Sequence, residues 1–180
     1  MILRPASLSD AVNLAELGRS SFVAKFGHLY RAEDLSSFLE QVYAPQTVRE
    51  EIAGPEYEFQ LAEQDGALLG FCKMGYPGKY ATYSDARDPV DLCQLYTAPD
   101  MTGRGIGSSL MQWALACAAR SNRDAIQLTV WSENHDAQRF YQRFGFTKIA
   151  DVDFYVGVHR DDEFLFEYRL PSGEGEGGQA

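Results

Sequence analysis

Cysteine is scarce in this chain. Cys72, Cys93 and Cys117 each sit in an apolar stretch, and no two form a CxxC pair. A disulfide framework and a cysteine-based zinc knuckle are therefore excluded, and a cytoplasmic location is the expectation. Histidine is as sparse: His28, His135 and His159 lie far apart with no HExxH among them, so no metal is expected. Long apolar runs are missing too. The opening MILRPAS carries one arginine and no hydrophobic stretch ahead of a small-residue cleavage site, so neither a signal peptide nor a membrane span is expected. No G-x-S-x-G elbow occurs, and thiols in apolar settings are inert, which leaves serine and cysteine nucleophiles without support.

Positive charge is in deficit. Sixteen Lys and Arg against 26 Asp and Glu give a net charge of −10, which argues against a nucleic-acid backbone as the main partner. The deficit is uneven: residues 1–100 hold 8 basic and 15 acidic side chains, residues 101–149 hold 6 and 3, and residues 150–180 hold 2 and 8. One basic island thus lies in an acidic molecule. An anionic ligand at the island and a cationic one near the remainder fit this pattern, as does a merely solvated surface.

What is present is ordinary for one globular domain: 180 residues, 45% of them hydrophobic and 23% charged. The end, PSGEGEGGQA, is too rich in glycine to pack, so residues 171–180 are expected to be a disordered tail. Ile2 to Pro5 reads as a strand, and Ser9 and Asp10 cap a helix that buries Val12, Leu14, Ala15 and Leu17. Phe22, Phe26 and Tyr30 follow at helical spacing. Leu35, Phe38, Leu39 and Val42 mark a second helix and Val48 to Ile52 a short third. Tyr57–Ala62 and Ala67–Met74 flank an Asp65-Gly66 turn and predict a hairpin.

After a loop from 75 to 89, Val90–Thr97 reads as a buried strand, Gly105–Ser121 as a helix, and Ile126, Leu128 and Val130 as the next strand, a β-α-β unit. Asn134 caps a further helix whose Ala137, Phe140, Tyr141 and Phe144 share one face, and Gly145 ends it. A strand begins at Phe146–Ile149, and Phe154–Val158 and Phe164–Leu170 form two more, joined by His159-Arg160-Asp161-Asp162. The expected fold is mixed α/β.

Chemistry concentrates in Thr102-Gly103-Arg104-Gly105-Ile106-Gly107-Ser108, between a strand and a helix. Glycines allow close backbone approach, and a helix start offers unpaired amide hydrogens and a positive dipole end, so the loop suits a pyrophosphate; it also suits a plain tight turn. A P-loop is excluded because Gly107 is followed by Ser108 and Ser109 rather than Lys and a hydroxyl residue. The dinucleotide fingerprint is excluded because its last glycine would fall on Ser108 or Leu110.

The segment LYTAPDMTGRGIGSSL, followed after a strand by Asn134, Ala137, Phe140, Tyr141, Gly145 and Phe146, resembles the GNAT superfamily of acyl-CoA-dependent N-acetyltransferases. That family carries [Arg or Gln]-x-x-Gly-x-[Gly or Ala] before a helix, then Asn-x-x-Ala-x-x-Phe-Tyr-x-x-x-Gly-Phe. The resemblance covers residues 1 to about 170 and implies one N-acetyltransferase domain over 1–170. It implies a central, mostly antiparallel sheet of six to seven strands flanked by helices. The first family position is Thr102 here, which keeps the amide cradle and loses a reaching donor; Arg104 is the substitute phosphate partner. Ser21-Phe22 to Phe26-Gly27, Tyr30, Glu33-Asp34-Leu35 and the strand Asp91-Leu92-Cys93-Gln94-Leu95-Tyr96 are also similar to PaiA-type polyamine acetyltransferases.

The resemblance implies direct transfer of an acetyl group from acetyl-CoA to a primary amine, polyamine-like and cationic. Leu95, Tyr96, Thr97, Thr102 and Gly103 through Ser108, with Asn134, Ala137 and Tyr141, would hold acetyl-CoA. A backbone amide within Leu95–Thr97 would stabilise the carbonyl oxygen as negative charge develops. Tyr141 is the expected general acid, since a phenol of pKa ~10 matches a leaving thiolate. Asp91 is the first candidate for the base, with Glu133 and His135 behind it, and Phe22, Phe26 and Tyr30 are candidates for the acceptor pocket. A protein or peptide acceptor, and a non-catalytic acyl-CoA sensor, stand as alternatives. The C-terminal strand pair offers an edge for a homodimer.

Overall fold

The computed structural model describes residues 1–171, so the expected tail lies, apart from Pro171, outside the described residues. Seven strands form one sheet in the order β1-β2-β3-β4-β5-β7-β6. They are β1 (Ile2–Pro5), β2 (Tyr57–Gln64), β3 (Ala67–Gly75), β4 (Pro89–Thr97), β5 (Ala125–Trp131), β6 (Thr147–Val156) and β7 (His159–Arg169). Every neighbouring pair is antiparallel except β4 and β5. The helices are α1 (Ala11–Phe26), α2 (Ala32–Val42), α3 (Pro45–Ala53), α4 (Ile106–Arg120) and α5 (His135–Arg143).

Local chemistry accounts for most of these boundaries. Asp65 and Gly66 take φ of 53° and 78°, the mirror-image turn that matches the twist of the β2–β3 strands they join. Pro45 opens α3, where its missing N–H costs nothing. Gly145, at φ 90°, ends α5 in a conformation that other residues reach only with strain. Helix α1 begins at Ala11, so its buried stripe runs through Ala11, Leu14, Ala15, Gly18 and Phe22. Val12, expected on that stripe, is rotated off it and is 55% exposed.

The helices cover both faces of the sheet. On one, Leu14 and Leu17 of α1 and Val48 of α3 pack on Phe59, Leu61 and Phe71. On the other, Ile106, Leu110 and Ala114 of α4 pack on Met74, Leu92, Ile126 and Leu128. Each side chain fully buried in this way contributes about 2 kcal/mol.

Two features position the site. The parallel β4–β5 pairing extends only from Pro89 to Asp91, opposite Ala125 to Gln127, so the later part of β4 parts from its neighbour. Pairing with β3 also skips Cys93, leaving a bulge in β4 between Leu92 and Gln94.

The C-terminal hairpin differs from its sequence reading. Phe146–Ile149 and Phe154–Val158 are not separate strands: Thr147 to Val156 is one. His159–Asp162 is the start of β7 rather than a connection, and the turn falls at Gly157, φ 58°. Charge obscured this, because Asp151, Asp153, Arg160 and Asp162 look like loop residues. They stand on the exposed face of an edge hairpin, where Arg160 bridges Asp153 and Asp162 at 2.8 Å each.

Candidate active site

One cavity of about 1240 Å³ opens where β4 leaves β5. Its first wall is the start of α4. Gly103 and Gly105 both have φ of 80°, and a Cβ added to either would meet nothing within 4 Å. The glycines are therefore required by backbone conformation, not by crowding. Gly105 is the helix cap and contributes no side chain, and no acidic residue stands in the first turn. Ser109 is the first residue whose amide reaches back, to Gly105 O at 3.0 Å. The amides of Ile106, Gly107 and Ser108 precede it, and all three residues line the cavity with Gly103, Gly105 and Thr102. This is an anion cradle built from backbone and the helix dipole.

Helix α5 forms the next wall. Asn134 caps it by accepting the Ala137 amide at 3.4 Å, and both residues line the cavity. Arg139 and Arg143, one turn apart, also line it. Arg104, expected as the phosphate partner, does not: it is exposed, between two glycines that do line the cavity. The i, i+4 arginine pair on the helix after Asn134 is basic lining that the sequence reading did not name.

The far wall is aromatic. Phe22 lies 5.2 Å from Phe26, 5.9 Å from Tyr30 and 4.8 Å from Phe38, ring to ring, and Phe26 meets Trp131 edge-on at 6.1 Å. All five line the cavity, so the stripe of Phe22, Phe26 and Tyr30 both packs and faces the open space. Two acids, Asp161 and Glu163, reach the same space from alternate positions of β7 and so from one face of the strand. The Tyr30 hydroxyl donates to Asp161 Oδ2 at 2.6 Å, and His159 Nε2 stands 3.2 Å from Oδ1. Neither acid was a candidate from sequence, because Asp161 read as part of a connection and Glu163 fell between it and the next strand.

Leu95, Tyr96 and Thr97 line the cavity from the unpaired side of β4, as does Tyr141 from α5. Burial pushes the Tyr141 phenol above its ordinary value, and the nearby Tyr96, Cys72 and Glu163 push in the same direction, so it holds its proton at neutral pH. Tyr96 is raised by burial too, against a hydrogen bond shared with Tyr43, 3.4 Å between hydroxyls. Burial lifts the Cys93 thiol to about 11, leaving it protonated and inert although it lines the cavity.

The candidate bases from sequence lie elsewhere. Asp91 is buried off the cavity, where its Oδ2 accepts the Lys79 amide at 2.9 Å and holds down the 76–88 loop. The short β4–β5 pairing explains the displacement: Asp91 falls in the closed, paired part of β4, before the strands separate. Glu133 and His135 are exposed and outside the lining. Among the described residues, no group of three or more His, Cys, Asp or Glu could hold a metal ion, and no helix is long and apolar enough to cross a membrane.

A glycine-primed helix start, a strand parted from its neighbour and a protonated tyrosine line one cavity, an arrangement that suits group transfer from an anionic donor. The family described as "Acetyltransferase (GNAT) domain" matches residues 28–158, and the chain belongs to this N-acetyltransferase family. Among its relatives, an uncharacterised N-acetyltransferase of Lactobacillus delbrueckii subsp. lactis is 26% identical over 166 residues, 91% of this chain and 94% of that one. Spermidine N(1)-acetyltransferase of Thermoplasma acidophilum is 24% identical over 155 residues, 84% and 90% of the two chains. The fold matches the crystal structure of the PaiA N-acetyltransferase from that organism in complex with coenzyme A. The TM-score is 0.76 at 23% identity, over 94% of this chain and 98% of that one.

Proposed function

We propose that this enzyme transfers the acetyl group of acetyl-CoA to a primary amine of a small cationic acceptor of the polyamine class. The observation that carries this reading is the single cavity shared by the α4 amide cradle, the Tyr141 hydroxyl and the aromatic wall with Asp161 and Glu163. Pyrophosphate fits the first, where capless amides and the dipole attract negative charge and Arg139 and Arg143 add to it. An ammonium fits the last, between acidic side chains and aromatic faces. The similarity to a spermidine acetyltransferase, and a related fold crystallised with coenzyme A, support the same assignment. The free thiols Cys72, Cys93 and Cys117 support a cytoplasmic setting.

The chain's own groups divide the work. A free amide of the Leu95–Thr97 stretch donates to the thioester oxygen as negative charge builds on it. Tyr141 protonates the departing sulfur, having kept its proton through burial. Asn134 and Ala137 hold the donor's arm along α5.

The test is CoA release from acetyl-CoA by purified protein with spermidine, less the rate without amine. Amine-dependent release is expected. Release that no small amine increases, in protein that binds acetyl-CoA, would sink the reading and leave the peptide acceptor or the sensor role.

A further inference from the structure

A lysine-like ammonium of pKa ~10.4 has no lone pair to attack with, so an acetyltransferase working near neutral pH has to remove a proton first. An acidic chamber sharpens the need, because it binds the ammonium while raising its pKa. Four carboxylates line the cavity: Glu51, Asp136, Asp161 and Glu163. Three are committed. Glu51 is 2.5 Å from Lys73 Nζ, Asp136 is bound to Arg139 on the exposed face of α5, and Asp161 is held by Tyr30 and His159. Glu163 is different: its Oε2 is buried without a hydrogen-bond partner.

Its surroundings are those of a reaction centre. Strand β7 places Glu163 opposite Trp131 of β5. Its charge acts on the hydroxyls of Tyr30 after α1, Tyr80 in the 76–88 loop, Tyr96 on β4 and Tyr141 on α5. Thr129 of β5 favours its charged form, and Asp161, two residues back on the same face of β7, opposes it. Two of those hydroxyls, on Tyr96 and Tyr141, belong to the residues assigned to the thioester. The one cavity carboxylate with a buried, unpartnered oxygen therefore lies within electrostatic reach of the groups that handle the leaving sulfur and the carbonyl.

The geometry points to Glu163 as the base that takes the proton from the acceptor's ammonium, an assignment that rests on the N-acetyltransferase reading above. The ammonium gives one proton to Glu163, leaving a neutral amine and a carboxylic acid. The nitrogen lone pair then forms the C–N bond to the thioester carbon. The C–S bond breaks with its electron pair on sulfur, which takes the Tyr141 proton. The new amide nitrogen sheds its second proton to restore Tyr141, and Glu163 returns its own to solvent. Burial raises Glu163 above the ordinary carboxylate range, with Asp161 adding to the rise and Thr129 opposing it, and this makes the carboxylate a better match for the ammonium.

The test is the pH profile of kcat and KM for wild type, E163Q and E163D, using spermidine or whichever primary amine wild type turns over fastest, with acetyl-CoA affinity measured in parallel. E163Q should lose about 100-fold in kcat at pH 7 with acetyl-CoA affinity kept, and the deficit should narrow as pH rises toward the amine's own pKa. An unchanged kcat, a loss confined to KM, or a deficit constant with pH overturns the assignment while leaving the acetyltransferase reading intact. If E163Q no longer binds acetyl-CoA, E163D decides. Its carboxylate, drawn back by one methylene, should lower kcat by about threefold or more with the wild-type pH limb retained, and a rate equal to wild type overturns the base. Wild type inactive toward every amine overturns both readings together.

Discussion

At the scale of single residues, burial keeps Tyr141 protonated, as the proposed acid role requires. Its ring packs beside Phe140 at 5.4 Å and Phe146 at 5.9 Å, and the residue also lines the cavity. Packing and protonation are thus one feature, since the apolar neighbours that fix the ring also disfavour the phenolate. Tyr141→Phe keeps the packing and removes the proton. Turnover should fall by about 100-fold with acetyl-CoA affinity within a factor of two, as read by steady-state CoA release and by calorimetric titration. Asp91 makes the contrasting case. Its position on the strand before the glycine loop was visible in sequence, but its depth was not, because the extent of strand pairing is a three-dimensional quantity.

Among elements, α4 was the most legible and the β6–β7 hairpin the least. The glycines of 103–107 advertise a tight strand-to-helix transition, and the structure answers with two positive φ angles and a helix starting at Ile106. Gly105→Ala should cost about 1 kcal/mol from the left-handed φ alone, because its Cβ would meet no atom. A urea midpoint measures that cost. Donor affinity should fall with it as the cradle shifts, whereas Gly66→Ala, at a comparable φ of 78° in an exposed turn, should show the stability cost without the affinity loss. The β6–β7 hairpin hid its register because alternation there pairs apolar with charged residues on an edge, a pattern shared with loops. That is why the aromatic lining of this end of the cavity could be named from sequence and the acidic lining could not.

For the whole molecule, part of the acid limb of stability comes from β1, at the far edge of the sheet. Arg4 of β1 holds Asp10 at 2.8 Å and Glu63 of β2 at 2.6 Å, and Asp10 also caps the chain at Ser7. Chiefly through Arg4, the Asp10 carboxyl lies well below its ordinary range. A carboxyl lowered by folding stabilises the native state above the unfolded pKa of ~3.9, and loses that contribution as pH falls below it. Asp10→Asn should therefore cost about 1 kcal/mol at pH 7, allowing for screening of the part-exposed Arg4. Urea midpoints should show the gap closing as pH drops below about 4.

The two ends of the cavity also differ in how far the chain must travel to make them. The proposed donor end draws on β4, α4, β5 and α5, which follow one another from Pro89 to Arg143. The proposed acceptor end needs Tyr30 to meet Asp161 across 131 positions. Contacts between distant segments form late, since loop closure has to precede them. On the proposed assignment, the donor cradle is thus drawn from one continuous stretch of chain, whereas the acceptor wall waits for β7 to meet the first helices.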